Sequence, residues 1–587
     1  GGGTLKVQIT TNNTADDRLT IKNVGTSAGQ IGVSGSNVTF AGNVIGTFTG
    51  GTGTAALVVT FTSSATLAAV EELIQNIQFS NVGSSETASK NVTITLTEGS
   101  VNESVTTVQV SMNPAAVAFD GDTNGNWFTA ANWSGDTLPG ATDEVTISGS
   151  SSDVSFNNSS SSATIRKLAM SDSSELNIAN GTLVVSNAVT TTAANIILVD
   201  GGATLTSGGP ISNAGTIQIG GTSSSGVLNG TGILDNTGTV KALQGSIDIA
   251  TFNNKSGGVL EVANATSAAF TISSSTFNNQ SGATITIIGG TAVNGQLQLS
   301  NTTLINDGLI TMTDSGGAGE ARVSNNSGGI TNNSTIQTLV GSGGGERFIS
   351  APVLNNGTFD LDTDTTFTSD ISHQGGGAFD VAAETDVKFS GNALNANGGT
   401  FTFGSGAELI FVNSTFSINS NTTLGSNGTL NLGDSSGNNG NVGGTSTLTV
   451  QGVLHANRGE ISAPLILDGG AALFLTAGTE NIMTVSGGVN INTGAVFEVR
   501  GASGSAALNI SGAVTNAGTI RLSSTTSDDA ALDLGSGASI TNTGTIEVLS
   551  GEGGSRVISG GTINNSSGGS INVNSDLSIG SDINVNQ

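Results

Sequence analysis

Cysteine and tyrosine are both absent from this chain of 587 residues, and tryptophan and histidine occur twice each. Without a thiol there is no disulfide framework, no zinc–thiolate centre and no cysteine nucleophile. Charged residues make up only 10%, so hydroxyls and amides must cover much of the surface, as in stacked β-structure with many turns. No stretch approaches the ~20 apolar residues of a membrane-spanning helix. The N-terminus, Gly1-Gly2-Gly3-Thr4-Leu5, lacks the charged and apolar regions of a signal peptide. The expectation is a mature product or a window from a longer chain, the second favoured by an ending in mid-pattern at Ile583–Gln587. Basic residues are few, 15 Lys and Arg against 43 Asp and Glu, for a net charge of −28. That balance excludes nucleic acid, which needs a basic patch, and fits solubility and divalent cations.

Glycine, by contrast, is abundant at 87 residues, and the hydrophobic fraction of 35% is too high for a disordered chain. Residues 1–113 read as a β-sandwich with one short helix. Val7–Ile9, Leu19–Ile21, Val38–Phe40, Leu57–Phe61, Ile77–Phe79, Val92–Leu96 and Val108–Val110 alternate as half-buried strands do. Leu67, Val70, Leu73, Ile74 and Ile77 instead recur at helical spacing. Asn113-Pro114 marks the boundary, since proline interrupts a ladder. Residues 114–149 hold both tryptophans, Trp127 and Trp133. They read as a cap over the open end of a repeat stack, with a ligand-stacking platform as the alternative.

From about residue 150 to 587 one signal dominates: Asn-x-Gly-Thr-apolar-x-apolar. It occurs at Asn213, Asn236, Asn355, Asn397, Asn516 and Asn542, with degenerate copies at Asn254, Asn279, Asn306 and Asn332. Steps from Asn213 to Asn355 are 23, 18, 25, 27, 26 and 23 residues. A period near 24 with only short strands predicts a long right-handed parallel β-helix, a β-solenoid of about 18 coils and roughly 85 Å. Alternation sends Ile217 and Ile219 inward and Gln218 outward. Asparagines at one position of successive coils are expected to stack as an amide ladder that satisfies turn backbone. A longer repeat, offset by about 210 residues, matches Thr331–Asn355 to Thr541–Asn564.

Several polar clusters are candidate sites. Asp120-Gly121-Asp122-Thr123-Asn124-Gly125-Asn126 places oxygen ligands at alternate positions and glycine at the sixth, like the start of a calcium loop. Ala131 holds the twelfth position, so Asp136, Asp143 or Glu144 would complete the set. The metal reading therefore names Asp120, Asp122, Asn124, Asn126, Asp136 and Asp143, with calcium the ion. Asp360, Asp362 and Asp364 alternate along what reads as one strand, all facing outward. Glu320/Arg322, Glu346/Arg347 and Glu552/Arg556 read as surface ion pairs. Catalysis is not expected. His373 has Asp370 and Asp380 near it, and His455 has Arg458 and Glu460, but neither set assembles a nucleophile or a metal quartet.

Asp16-Asp17-Arg18-Leu19, the helix Val70–Ile77 and the late strand Val92–Leu96 resemble the cadherin-like modules of giant bacterial surface adhesins. Glu98-Gly99 stands where that family often has Asp-Gly. The segment Trp127…Asn132-Trp133…Pro139…Asp143-Glu144-Val145 resembles the module that opens β-helical regions in the same class, and the repeats resemble adhesin and autotransporter passengers. The resemblance implies a non-enzymatic protein, extracellular and at the cell surface, acting in adhesion or as a structural rod. Its partners would be glycans or proteins of a host cell, a neighbouring cell or a matrix, or copies of itself in a filament, sheath or surface layer. A polysaccharide-degrading β-helix enzyme is the remaining alternative.

Calcium at the Asp120 turn would offset repulsion between carboxylates and the entropy of a glycine-rich loop, with a Kd near ~10⁻⁴–10⁻³ M. Calorimetry with and without chelator checks this. The melting temperature is expected to fall on chelation, and an unchanged melt leaves Asp120–Asn126 as a turn only.

Overall fold

The computed structural model describes residues 2–82, 90–98, 102–110, 116–121, 125–149, 153–266, 268–476, 481–502 and 504–585. The Asn113-Pro114 boundary lies outside them. The chain divides into two compact units, one built on Gly1–Ala118 with Pro139–Thr146 and Thr164–Lys167, the other on the remainder to Gln587.

The first unit contains a seven-stranded antiparallel sheet, a two-stranded antiparallel sheet and the helix Leu67–Gln75. Each strand expected from alternation forms. Ile31–Ser34 and Asn43–Thr49 add two more that glycines at 32 and 46 had obscured. Thr66 caps the helix, its hydroxyl accepting from the Ala69 N–H at 3.3 Å. Leu5, Val7, Leu19, Ile31, Val38, Leu57, Val59 and Leu73 form a single core. At its edge Lys90 and Asp17, both fully buried, pair at 3.0 Å. Asp17 also accepts from the Thr14 N–H and from Asn81, each at 2.7 Å. Burial acts to raise the Asp17 pKa, but these hydrogen bonds and Lys90 hold it below the ordinary aspartate value.

The second unit is a parallel β-solenoid of about 18 turns. One turn runs through strands Gly328–Asn332, Thr335–Thr338 and Arg347–Ser350. The next turn begins at Val353–Asn355, which lies on the first in register, Ile330 beside Val353 and Asn332 beside Asn355. Strands alternate as expected, with Ile217 and Ile219 buried and Gln218 half-exposed. Identical positions of successive turns stack inside, so Phe367, Phe389 and Phe411 align with ring planes within 9° and centroids 5.0 and 4.7 Å apart.

The amide ladder is present. Asn213, Asn236, Asn254, Asn279, Asn306, Asn332 and Asn355 are all buried. From Asn213 to Asn332 each Nδ2 donates to the Oδ1 of the next asparagine at 2.7–2.9 Å. Each Nδ2 also reaches a backbone carbonyl where the next turn resumes, as Asn306 reaches Thr335 at 3.0 Å. Both amide hydrogens are thereby used. The ladder begins below Thr191, whose hydroxyl donates to Asn213 at 2.8 Å, and ends at His373, which accepts from Asn355 at 3.0 Å.

A second ladder, Asn516 to Asn542 to Asn565, has bonds of 2.7 and 2.6 Å. It does not continue the first column. Below His373 the first column passes through Ala396 and Ile418. The second descends from Leu424 through Val450, Leu467 and Ile491. Ile418 and Leu424 sit on successive strands of one turn, so the 210-residue repeat is not a whole number of turns. It carries the same motif to the adjoining corner.

Removing a rung should be expensive. Asn306→Ala deprives Asn279 of its acceptor and Asn332 of its donor in a dry interior, for an expected loss of about 2–4 kcal/mol. Asn333 lies in an exposed row, donating to Asp307 at 2.8 Å, and Asn333→Ala should cost under about 0.5 kcal/mol. Denaturant melts of the two variants check the contrast.

Candidate functional site

The turn proposed for calcium is only partly described, because Asp122 and Asn124 lie outside the described residues. Asp120 donates its backbone N–H to the Asn132 carbonyl at 3.0 Å. Asn126 accepts from the Phe128 N–H at 2.7 Å. Asp136 is exposed in a left-handed turn, φ +50°. Asp143, in the first unit, accepts from the Gly140 N–H at 2.7 Å. Among the described residues no three His, Cys, Asp or Glu side chains converge as metal ligands would.

Trp127 and Trp133 are fully buried, packed edge to face on each other at 4.8 Å and on Phe156 and Phe119 respectively. The Trp133 indole donates to the Trp127 carbonyl at 2.7 Å. Their faces are inside the unit, which removes the ligand-stacking platform and leaves hydrophobic filling.

The three aspartates expected along one strand are divided. The strand Thr358–Leu361 ends before Asp362, so only Asp360 projects from it, and Asp364 belongs to the following corner. Asp360 stands in register with Asp380, and Asp386 with Glu408. Burial first, and then the neighbouring carboxylates Asp362 and Asp380, push Asp360 above the ordinary aspartate value. Burial with Asp364 does the same to Asp386, and burial with Asp386 to Glu408.

The arginine pairs differ more. Glu320 and Arg322 make the expected surface pair at 2.9 Å, with Arg322 lying over the Phe348 ring at 4.1 Å. Arg347 does not pair with Glu346. It is fully buried and bonds Asp314 of the preceding turn at 2.8 Å, with further bonds to the carbonyls of Met312, Leu339 and Gly345. Asp314 also accepts from the Gly343 and Gly316 N–H groups at 2.7 and 3.2 Å. Burial opposes these interactions, yet they hold the Asp314 pKa below its ordinary value. Arg556 is likewise buried and does not pair with Glu552. Alternation signals both inward arginines, since each stands two places before a buried isoleucine, Ile349 and Ile558. A network no local signal announces joins Glu498 to Arg500 at 2.8 Å and to Arg521 at 3.3 Å, and Arg521 to Glu547 at 2.6 Å.

His373 points into the solenoid, fully buried against Phe379 and Phe401. The exposed Asp370 caps the Ala393 N–H at 2.9 Å, so the two do not form a catalytic pair. His455 faces outward over Phe474, centroids 5.6 Å apart.

One lateral cleft, about 520 Å³, gathers Asn439, Asn441, Arg458, Glu460, Ile482 and Thr484. Its polar groups are held by neighbouring turns. Arg458 Nε donates to Asn439 at 3.0 Å, Asn441 accepts from the Glu460 N–H at 3.0 Å, and the Ser486 hydroxyl donates to Glu460 Oε1 at 2.6 Å. Ile482 lies 54% exposed beside them. A fixed guanidinium, a carboxylate and amides next to an apolar surface can hold a hydroxyl-rich ligand through paired hydrogen bonds.

A family model described as a domain of unknown function, DUF8693, matches residues 118–227. No curated protein matches the chain. A solved structure described as a TibC-catalysed hyper-glycosylated fragment of TibA, residues 55–350, is 15% identical. The match covers 68% of this chain and 99% of that one, at a TM-score of 0.18.

Burial holds His373 below the ordinary histidine value of 6.5, partly offset by the Thr400 backbone, and burial with Arg500 lowers His455. For a depressed histidine the unfolded chain binds the proton more readily. The stabilisation is complete above about pH 6.5 and declines as pH falls toward the native pKa. Melting temperature should therefore drop on acidification through this range. His373→Asn, which keeps an acceptor for Asn355, should flatten part of that drop.

Proposed function

We propose that this chain is a non-enzymatic extracellular protein of a bacterial cell surface, acting in adhesion, with the solenoid presenting polar lateral faces to a glycan. The Arg458 cleft carries this reading. Its guanidinium, carboxylate and amides are oriented by neighbouring turns before any ligand arrives, which lowers the ordering cost of binding. A sugar hydroxyl both donates and accepts, so it can bridge Arg458 and Glu460, while Ile482 offers a surface for the apolar edge of a ring. The surrounding exterior is rich in hydroxyls and amides, and the excess negative charge favours neutral or basic ligands over anionic ones. The resemblance of the Asp16–Leu19 and Val70–Ile77 segments to cadherin-like modules of surface adhesins supports the location.

Binding of the chain to a glycan array, compared with Arg458→Ala and Glu460→Gln, tests the reading. Each substitution is expected to weaken binding about ten- to a hundredfold, the worth of a hydrogen bond to a charged group. An array with no bound glycan, or variants that bind as the parent does, would refute it. Self-association in sedimentation would then favour a filament or surface-layer subunit.

A further inference from the structure

The long repeat supplies two copies of one buried arginine position with different surroundings. In the earlier copy, strand Leu309–Asp314 ends in Asp314, which neutralises Arg347 of the next turn, both side chains fully buried. In the later copy, strand Thr519–Ser524 is the counterpart, and Ser524 stands where Asp314 does. The arginine is retained: Ala321 lies in register with Arg347, and Ala530 with Arg556.

Arg556 is only 1% exposed, yet its bonds reach only the carbonyls of Gly553 and Gly554, at 2.9 and 2.8 Å. Its Nε is buried without a partner, whereas Arg347 Nε donates to Met312 at 3.3 Å. Nearby carboxylates are engaged elsewhere. Asp528 accepts from the Gly504 N–H at 2.9 Å and from the Thr526 hydroxyl at 2.5 Å, Asp529 accepts from the Ser555 N–H at 2.6 Å, and Glu552 is exposed. The Ser524 hydroxyl donates to the Thr526 carbonyl at 2.6 Å and supplies no charge.

A guanidinium withdrawn from water without a counter-charge carries a large desolvation penalty, because it cannot shed its proton as a buried lysine can. We infer that Arg556 binds a small inorganic anion of the size and charge of chloride, which supplies the counter-charge that the Asp314 carboxylate supplies in the earlier copy. The loop glycine Gly343, whose N–H is donated to Asp314, has Gly553 as its counterpart in the later copy, where the Gly553 carbonyl accepts from Arg556. In a chain of net charge −28 anions are repelled in general, which confines binding to this buried cation.

Chloride dependence tests the site. The full chain is melted in sodium chloride and in sodium gluconate at equal ionic strength, gluconate being too large to enter, and chloride binding is read independently from quadrupolar broadening of its NMR line. Chloride should raise the melting temperature of the parent and broaden the line. Ser524→Asp supplies the missing carboxylate and should abolish both effects. Arg556→Met removes the charge and should abolish them too, which settles the question if Ser524→Asp does not fold. Asp314→Ser should add a second chloride-dependent site at Arg347. A parent indifferent to chloride, or an unchanged dependence in Ser524→Asp and Arg556→Met, would overturn the assignment.

Discussion

Each solenoid turn lays its corner on the turn below, and the polar backbone at that corner is shut away from water. The carbonyls and N–H groups there must find partners inside the protein or cost several kcal/mol together. The asparagine column meets this demand with one side chain per turn, because a primary amide has two donors and an acceptor and can bond its twin above, its twin below and a main-chain carbonyl. The bond from Asn306 to Asn332 and the bond from Asn306 to the Thr335 carbonyl show both donors in use. In-register stacking of Phe367, Phe389 and Phe411, and of the strands around them, follows from the same alignment.

Much of this was readable from spacing. The recurring Asn-x-Gly-Thr places an amide, a tight corner and the start of a strand in fixed order, and the alternation after it separates Ile217 and Ile219 from Gln218. What spacing between near neighbours could not supply was the partner from another turn. Spacing pairs Arg347 with the adjacent Glu346, but its charge is met by Asp314 of the preceding turn. Asp17 and Lys90 of the first unit lie further apart still, 73 residues against 33. In all three cases a cation begins a strand at an inward position, Lys90 before Val92, Arg347 before Ile349 and Arg556 before Ile558. The face of the strand was legible, and the identity of the neighbour was not.

The candidate site was less legible than the fold. Arg458 and Glu460 stood out as charges in a chain with few, but their grouping with Asn439, Asn441 and Thr484 depends on which turns lie side by side. Asp360, Asp362 and Asp364 show the opposite error, where a regular spacing suggested one strand and a corner intervenes after Leu361. The shift of the amide column between Asn355 and Asn516 also escapes the period, since unequal corner lengths let the repeat slip by one strand while every local motif stays intact.

The central claim is that the amide column locks the turns it runs through. Residue-resolved hydrogen exchange of the unmodified chain measures this most directly. The N–H groups of Asp307, Asn333 and Asn356 donate to the ladder carbonyls of Asn279, Asn306 and Asn332. They should exchange slowly and together, as one cooperative unit, while equivalent corners near Ile418 and Gly444, where the column is interrupted, should open more readily. Equal protection along both stretches, or faster exchange within the ladder, would contradict the account.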